Sequence, residues 1–136
     1  MTSSQNQSPD ARPRILLVEN DVMTLMCFEQ LLVGEGYSVV TAEDKASALC
    51  RAAEQQFDLV ITDLGLPDGS GMDFVAGLDA AGRRIQAIAM TGYNLEPEEF
   101  KQAGFSGWLV KPVDFDEMLA LVSRLSETRA GERAKE

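Results

Sequence analysis

Short apolar runs alternate with amphipathic stretches from Arg14 onward, and that alternation is the strongest constraint on what the chain can become. Strands are predicted at residues 15–18, 38–41, 59–63, 85–90 and 107–110, each a brief run dominated by aliphatic side chains. Helices are predicted at residues 22–34, 45–56, 72–81, 97–103 and 114–126 or slightly beyond, where apolar positions recur every three or four residues. Phe115, Met118, Leu119, Val122 and Leu125 carry that spacing most clearly. Gly34, Gly36, Gly82 and Gly104 follow helical segments, where a left-handed cap favours a residue without a β-carbon. Strands that alternate with helices are joined by crossovers, so the sheet is parallel and helices cover both of its faces. The expected fold is α/β and doubly wound, with a five-stranded parallel sheet and five helices.

The 136 residues suffice for one domain with its own core. Residues 1–13 are rich in Ser, Gln, Asn and Pro without apolar period and are expected to form a disordered lead. The domain is expected over residues 14–127, and residues 128–136 read as a C-terminal tail too polar to dock. A net charge of -10 argues against direct nucleic-acid binding, which needs a basic footprint. No run approaches the roughly 18 apolar residues of a membrane span, and the polar N-terminus does not resemble a secretory signal, so a cytoplasmic protein is expected. Cys27 and Cys50 fall in helical patterns and read as structural thiols, too few for a disulfide framework. The absence of histidine removes Ser-His-Asp and Cys-His catalysis and His-ligated zinc. Carboxylate, hydroxyl and lysine chemistry remain.

Ligands of open α/β sheets bind beyond the carboxyl ends of the strands. There the predicted strands deliver Glu19, Asn20 and Asp21 after the first, Asp63 at the end of the third, Thr91 after the fourth and Lys111 after the fifth. This set suits phosphoryl transfer. A carboxylate can act as nucleophile and form an aspartyl phosphate. Hard oxygen donors can hold magnesium, while an ammonium and a hydroxyl can stabilise the phosphoryl oxygens. Each residue also has a plainer role open to it. Asp63 could form a turn, Asp21 or Asn20 could cap the following helix, Thr91 and Gly92 could make a simple turn, and Lys111 could be a solvated residue before Pro112. Capping is the favoured role for Asp21 taken singly. Their joint arrival from separate strands favours the chemical reading.

The segments ILLVEND at the first strand, LVITDLGLPDGSGMDF around the third, IAMTGY at the fourth and AGFSGWLVKPVD around the fifth together resemble the receiver domain of bacterial two-component response regulators. The likeness covers roughly residues 14–125. It implies the flavodoxin-like strand order 2-1-3-4-5. It implies that Asp63 is the phosphoacceptor, taking its phosphoryl group from a phosphohistidine on a sensor histidine kinase or a histidine phosphotransfer protein. It also implies that Glu19, Asn20, Asp63 and the Gly65 carbonyl bind Mg2+, with Thr91 and Lys111 supporting the transfer. Thr91 and Trp108 fall on the family's switch positions, and the Lys111–Pro112 bond is expected to be cis. The face of the fourth helix, fifth strand and fifth helix is expected to read the phosphorylated state and to offer a surface for homodimerisation.

Two departures from the family pattern carry expectations of their own. Asn20 stands where an aspartate is usual, so Mg2+ binding is expected to be weakened rather than abolished. Trp108 replaces the usual Tyr or Phe with a bulkier ring. Such a chain is no enzyme beyond self-dephosphorylation, and it is expected to act as a single-domain regulator or as a receiver fragment of a longer protein. One alternative is a pseudo-receiver, an interaction module that signals without phosphate. A phosphatase of the haloacid-dehalogenase type is a weaker one, because it needs a second aspartate where this chain has Gly65.

Overall fold

The computed structural model describes residues 12–83, 85–92 and 96–135, with side chains as far as Ser126. Its main sheet comprises β1 (Arg14–Val18), β2 (Ser38–Ala42), β3 (Leu59–Asp63), β4 (Gln86–Thr91) and β5 (Gly107–Val110). They lie in the order β2-β1-β3-β4-β5, all parallel, which is the doubly wound order expected. The helices are α1 (Val22–Gly34), α2 (Lys45–Glu54), α3 (Gly71–Ala80), α4 (Pro97–Gln102) and α5 (Phe115–Lys135).

Strand alternation divides the core into two layers. Ile15, Leu17, Leu59, Ile61, Ile88 and Met90 face α1 and α5, where they meet Leu25, Phe28, Leu32, Met118, Val122 and Leu125. Leu16, Val18, Val60, Ala87 and Ala89 face α2, α3 and α4. The small Ala87 and Ala89 stand on that face alongside the large Phe74 and Phe100, all of them buried. At the far end of the sheet, Arg14 N donates to Asp58 Oδ2 at 2.9 Å and Asp58 N donates to Arg14 O at 2.8 Å. This reciprocal pair fixes the β1–β3 register where the strands enter.

Several boundaries differ from expectation. A short antiparallel ladder, Gly65–Leu66 against Gly69–Ser70, forms in the loop after β3. It arises because Pro67-Asp68 makes the turn between two residue pairs too short to register as strands in a sequence. Gly34 is the last residue of α1, and the left-handed position falls at Gly36, with φ of 98°. The helix α5 runs to Lys135 rather than ending near Ser126, so the polar tail continues the helix. Ala, Glu, Arg and Lys in that stretch are good helix formers, and polarity removes a buried face without removing helix propensity. Of the expected disordered lead, residues 1–11 lie outside the described residues; Pro13 is fastened to the sheet, its carbonyl accepting from Ser38 N at 3.0 Å. Cys27 and Cys50 are exposed on α1 and α2, contrary to the reading as structural thiols, because the helical positions they occupy face outward. No described helix is long and apolar enough to cross a membrane.

Candidate phosphoacceptor site

The residues converge because four parallel strands end together. Asp63 closes β3, opposite Met90 of β4. Thr91 closes β4 opposite Val110 of β5, and Lys111 follows that strand directly, its N–H donating to Thr91 O at 2.8 Å. Glu19 follows β1 and remains in the ladder, donating from its N–H to Ala42 O at 3.0 Å.

Lys111 is the hub. Its Nζ donates to Asp63 Oδ2 at 2.7 Å and to Glu19 Oε1 at 3.3 Å. The Glu19 side chain is only 3% exposed, Asp63 14% and Lys111 35%, so the ion pairs sit in a pocket open on the lysine side. Burial pulls the Lys111 pKa down, but the hydrogen bond it donates to Asp63 and the charges of Asp63 and Glu19 outweigh it and hold the ammonium above its ordinary value. The remaining carboxylate oxygens are also engaged. Glu19 Oε2 accepts from Asp21 N at 2.9 Å, and Asp63 Oδ1 accepts from Gly65 N at 3.1 Å. The Lys111–Pro112 bond is cis.

Thr91 is buried at 1% exposure beneath this edge. Asn20 stands exposed beside Glu19. Asp21 occupies the N-cap position of α1, yet its side chain makes no capping bond to the helix backbone; it accepts instead from the Thr24 hydroxyl at 2.5 Å. The plainer reading of Asp21 as a side-chain cap is therefore corrected, because the Thr24 hydroxyl one turn on captures the carboxylate. Trp108 is set back from the edge, opposite Ala89, and its ring stacks on Phe100 of α4 with centroids 4.7 Å apart and planes within 3°. An apolar groove of about 470 Å³ opens beside Lys111, lined among others by Met23, Cys27, Phe28 and Phe115.

The donor set bears on a metal. Glu19 and Asp63 are two hard carboxylates sharing one ammonium, which leaves a net negative charge suited to a divalent cation. Among the described residues no group of three His, Cys, Asp or Glu is placed to hold a metal. The Glu19 and Asp63 oxygens thus fit magnesium in kind, and the neighbouring Asn20 adds no charge to them.

Two residues that matter to this geometry escaped the sequence reading. A β-carbon on Gly71 would lie 2.5 Å from Asp63 O, so only glycine lets α3 start against the strand end. Its place directly after Ser70, the N-cap of α3, was the available signal. Asp68 caps α2 from another loop, and no local pattern announces a partner 23 residues away.

Comparison with known proteins agrees with this arrangement. The family model of the response regulator receiver domain matches residues 15–123. Among curated proteins, the chain is 30% identical over 116 residues to a probable transcriptional regulator, ycf29, of Pyropia yezoensis, covering 82% of this chain and 52% of that one. It is 35% identical over 109 residues to the transcriptional regulatory protein KdpE of Mycobacterium tuberculosis, covering 78% and 47%. The chain therefore spans about half the length of these curated relatives. Among solved structures, the chemotaxis response regulator CheY4 of Vibrio cholerae has a TM-score of 0.79 at 27% identity, covering 84% of this chain and 98% of that one. The response regulator TrrA of Thermotoga maritima, solved in complex with Mg(2+)-BeF, has a TM-score of 0.75 at 27% identity, covering 83% and 98%. Receiver domains of this kind are phosphoacceptors rather than conventional enzymes, bind Mg2+, and work with sensor kinases or phosphotransfer proteins. The chain belongs to the response regulator receiver family of two-component systems.

Proposed function

We propose that this chain accepts a phosphoryl group on Asp63 from a phosphohistidine carried by a sensor histidine kinase or a histidine phosphotransfer protein. The observation that carries this reading is the contact of a single ammonium, Lys111 Nζ, with Asp63 at 2.7 Å and Glu19 at 3.3 Å at the carboxyl edge of the sheet. An Asp63 oxygen attacks phosphorus, the bond from phosphorus to the donor imidazole nitrogen breaks, and its electron pair leaves with the imidazole. Lys111 neutralises charge on the incoming phosphoryl oxygens, and the Thr91 hydroxyl donates a hydrogen bond to one of them. Glu19, Asn20, Asp63 and the Gly65 carbonyl would hold Mg2+, which when bound offsets the repulsion between carboxylates and phosphoryl oxygens.

Phosphorylation in this reading adds local charge that biases a pre-existing equilibrium. Thr91 and Trp108 carry the change to the face of α4, β5 and α5, which is read by a partner or by a second copy of the chain. That Val110 on β5 is exposed and apolar supports a contact there. The exposed Met23 and Phe115 beside Lys111 support close approach of a donor protein. The unit that does this is the stretch 14–127, working in the cytoplasm and turning over no substrate beyond its own phosphate. A pseudo-receiver that signals without phosphate is the second reading, favoured by Asn20 at the metal position.

Intact mass after incubation with a small-molecule phosphodonor and Mg2+ tests the assignment. The wild-type chain should gain one phosphoryl group and Asp63→Asn none; a full gain in Asp63→Asn would overturn it.

A further inference from the structure

Asp68 lies three residues beyond Gly65 and reaches into a different βα unit. Its Oδ1 accepts from Lys45 N at 2.7 Å and its Oδ2 from Ala46 N at 2.9 Å. These are the opening amides of α2, which have no partner within the helix. The helix already has its own N-cap, since Asp44 accepts from Ser47 N at 2.7 Å. A second carboxylate from a distant loop is thus a cross-link as much as a cap. The Lys45 side chain reinforces it: a β-carbon on Gly69 would meet its Cδ, Cε and Nζ at 3.1 to 3.2 Å, so the stem lies along the loop.

The loop is therefore anchored at both ends. At its near end Gly65 N donates to Asp63 Oδ1 at 3.1 Å, and Leu66 packs into the core layer beneath α2 and α3. The far end is the charge-assisted, bidentate contact of Asp68 with α2, the stronger type of hydrogen bond. Those two amides also hold the Asp68 carboxyl below its ordinary value despite full exposure. Groups that orient a reacting side chain through an intermediary govern its geometry as surely as direct contacts do.

We propose that Asp68 is a positioning residue for the acceptor: by docking on the first turn of α2 it fixes the loop after β3, so that the Gly65 N–H orients the Asp63 carboxylate. The consequence for phosphorylation rests on the reading of Asp63 as acceptor; the mechanical link does not.

Amide hydrogen exchange and phosphorylation rate, measured on the full chain and on Asp68→Ala, Asp68→Asn and Asp44→Ala, test the proposal. Asp68→Ala should raise exchange at Gly65 by roughly tenfold while the amides of β1 and β3 stay protected. Phosphorylation by a small-molecule donor should slow by about tenfold, within the ~10²-fold that a 1 Å misplacement can cost. Asp68→Asn keeps one acceptor oxygen and should fall between Asp68→Ala and wild type, and it carries the test if Asp68→Ala does not fold. Asp44→Ala strips a cap from the same helix without touching the loop, so it should lose stability yet keep wild-type Gly65 exchange and rate. Faster exchange confined to α2, with Gly65 and the rate unchanged in the Asp68 variants, would overturn the proposal, as would equal slowing by Asp44→Ala. If the wild-type chain takes up no phosphoryl group, the acceptor reading fails; Gly65 exchange then decides the link alone, raised exchange supporting it and unchanged exchange refuting it.

Discussion

Lys111 Nζ reaches Asp63 Oδ2 at 2.7 Å across the end of β4, the strand that separates their own. One flexible side chain thereby ties β5 to β3 and, through Glu19, to the end of β1. The ammonium balances two carboxylates that would otherwise face each other in a half-closed pocket. It also repels any cation that approaches them.

Those two effects separate in Lys111→Met. Loss of the positive charge should leave Mg2+ affinity equal to or higher than wild type, because an adjacent repulsion is gone. Phosphorylation should nevertheless slow by on the order of 10²-fold, the usual scale for removing a group that stabilises transition-state charge. Isothermal titration with Mg2+ and rates with a small-molecule donor give the two readouts. Weaker metal binding with an unchanged rate would reverse the role assigned to the lysine.

Asn20→Asp restores a charged oxygen beside Glu19 and should tighten Mg2+ binding and speed phosphorylation. A third divalent-to-carboxylate attraction near a protein surface is worth a few kcal/mol before desolvation, so an affinity gain of about tenfold or more is expected. Trp108 is the only tryptophan and offers a fluorescence signal for the titration. An unchanged affinity would show that residue 20 is not a ligand and would shift weight to signalling without phosphate.

The fold was legible because periodicity is a local property. Alternating strands and helices, read from short apolar runs and from apolar residues recurring every three or four positions, needed no knowledge of distant partners. Lys111, Asp63, Glu19 and Thr91 could be placed on one edge for the same reason, since each immediately follows or closes an apolar run. What the sequence hid were relationships across space. The role of Asp68 was hidden because its amide partners belong to α2. Asp21 looked like a helix cap because the competing Thr24 hydroxyl is invisible until the turn is built. The stacking of Trp108 on Phe100 joins two elements whose approach only packing decides. The length of α5 was missed for a different reason: an apolar stripe marks where a helix is buried, not where it ends.

Gly71→Ala tests the closeness of helix and strand. The new β-carbon would fall 2.5 Å from Asp63 O and 3.2 Å from Leu64 Cα, and backbone atoms cannot swing aside as a side-chain tip can. Relief requires α3 to back away or the end of β3 to shift, at a cost of about 1–3 kcal/mol typical of overpacking. Thermal melts should show the loss of stability. Phosphorylation should fall too, although no side chain of the site has changed, because the shift carries Asp63 with it. Wild-type values for both would mean that the contact is looser than the geometry indicates.

The Asp68 contact gives stability a pH dependence of defined sign. Hydrogen bonds from Lys45 and Ala46 N–H lower the folded-state pKa below the ordinary 3.8. A depressed carboxyl contributes fully above its unfolded value and loses that contribution as pH falls through the folded value. Chemical denaturation of wild type and Asp68→Asn across a pH series isolates the effect, since the other carboxylates titrate in both. The difference in stability should favour wild type, stay constant from neutral pH down to about 5, and shrink below about 4 as the carboxyl protonates. A difference that grew on acidification, or that was already absent at neutral pH, would show that the two amides do not depend on the Asp68 charge.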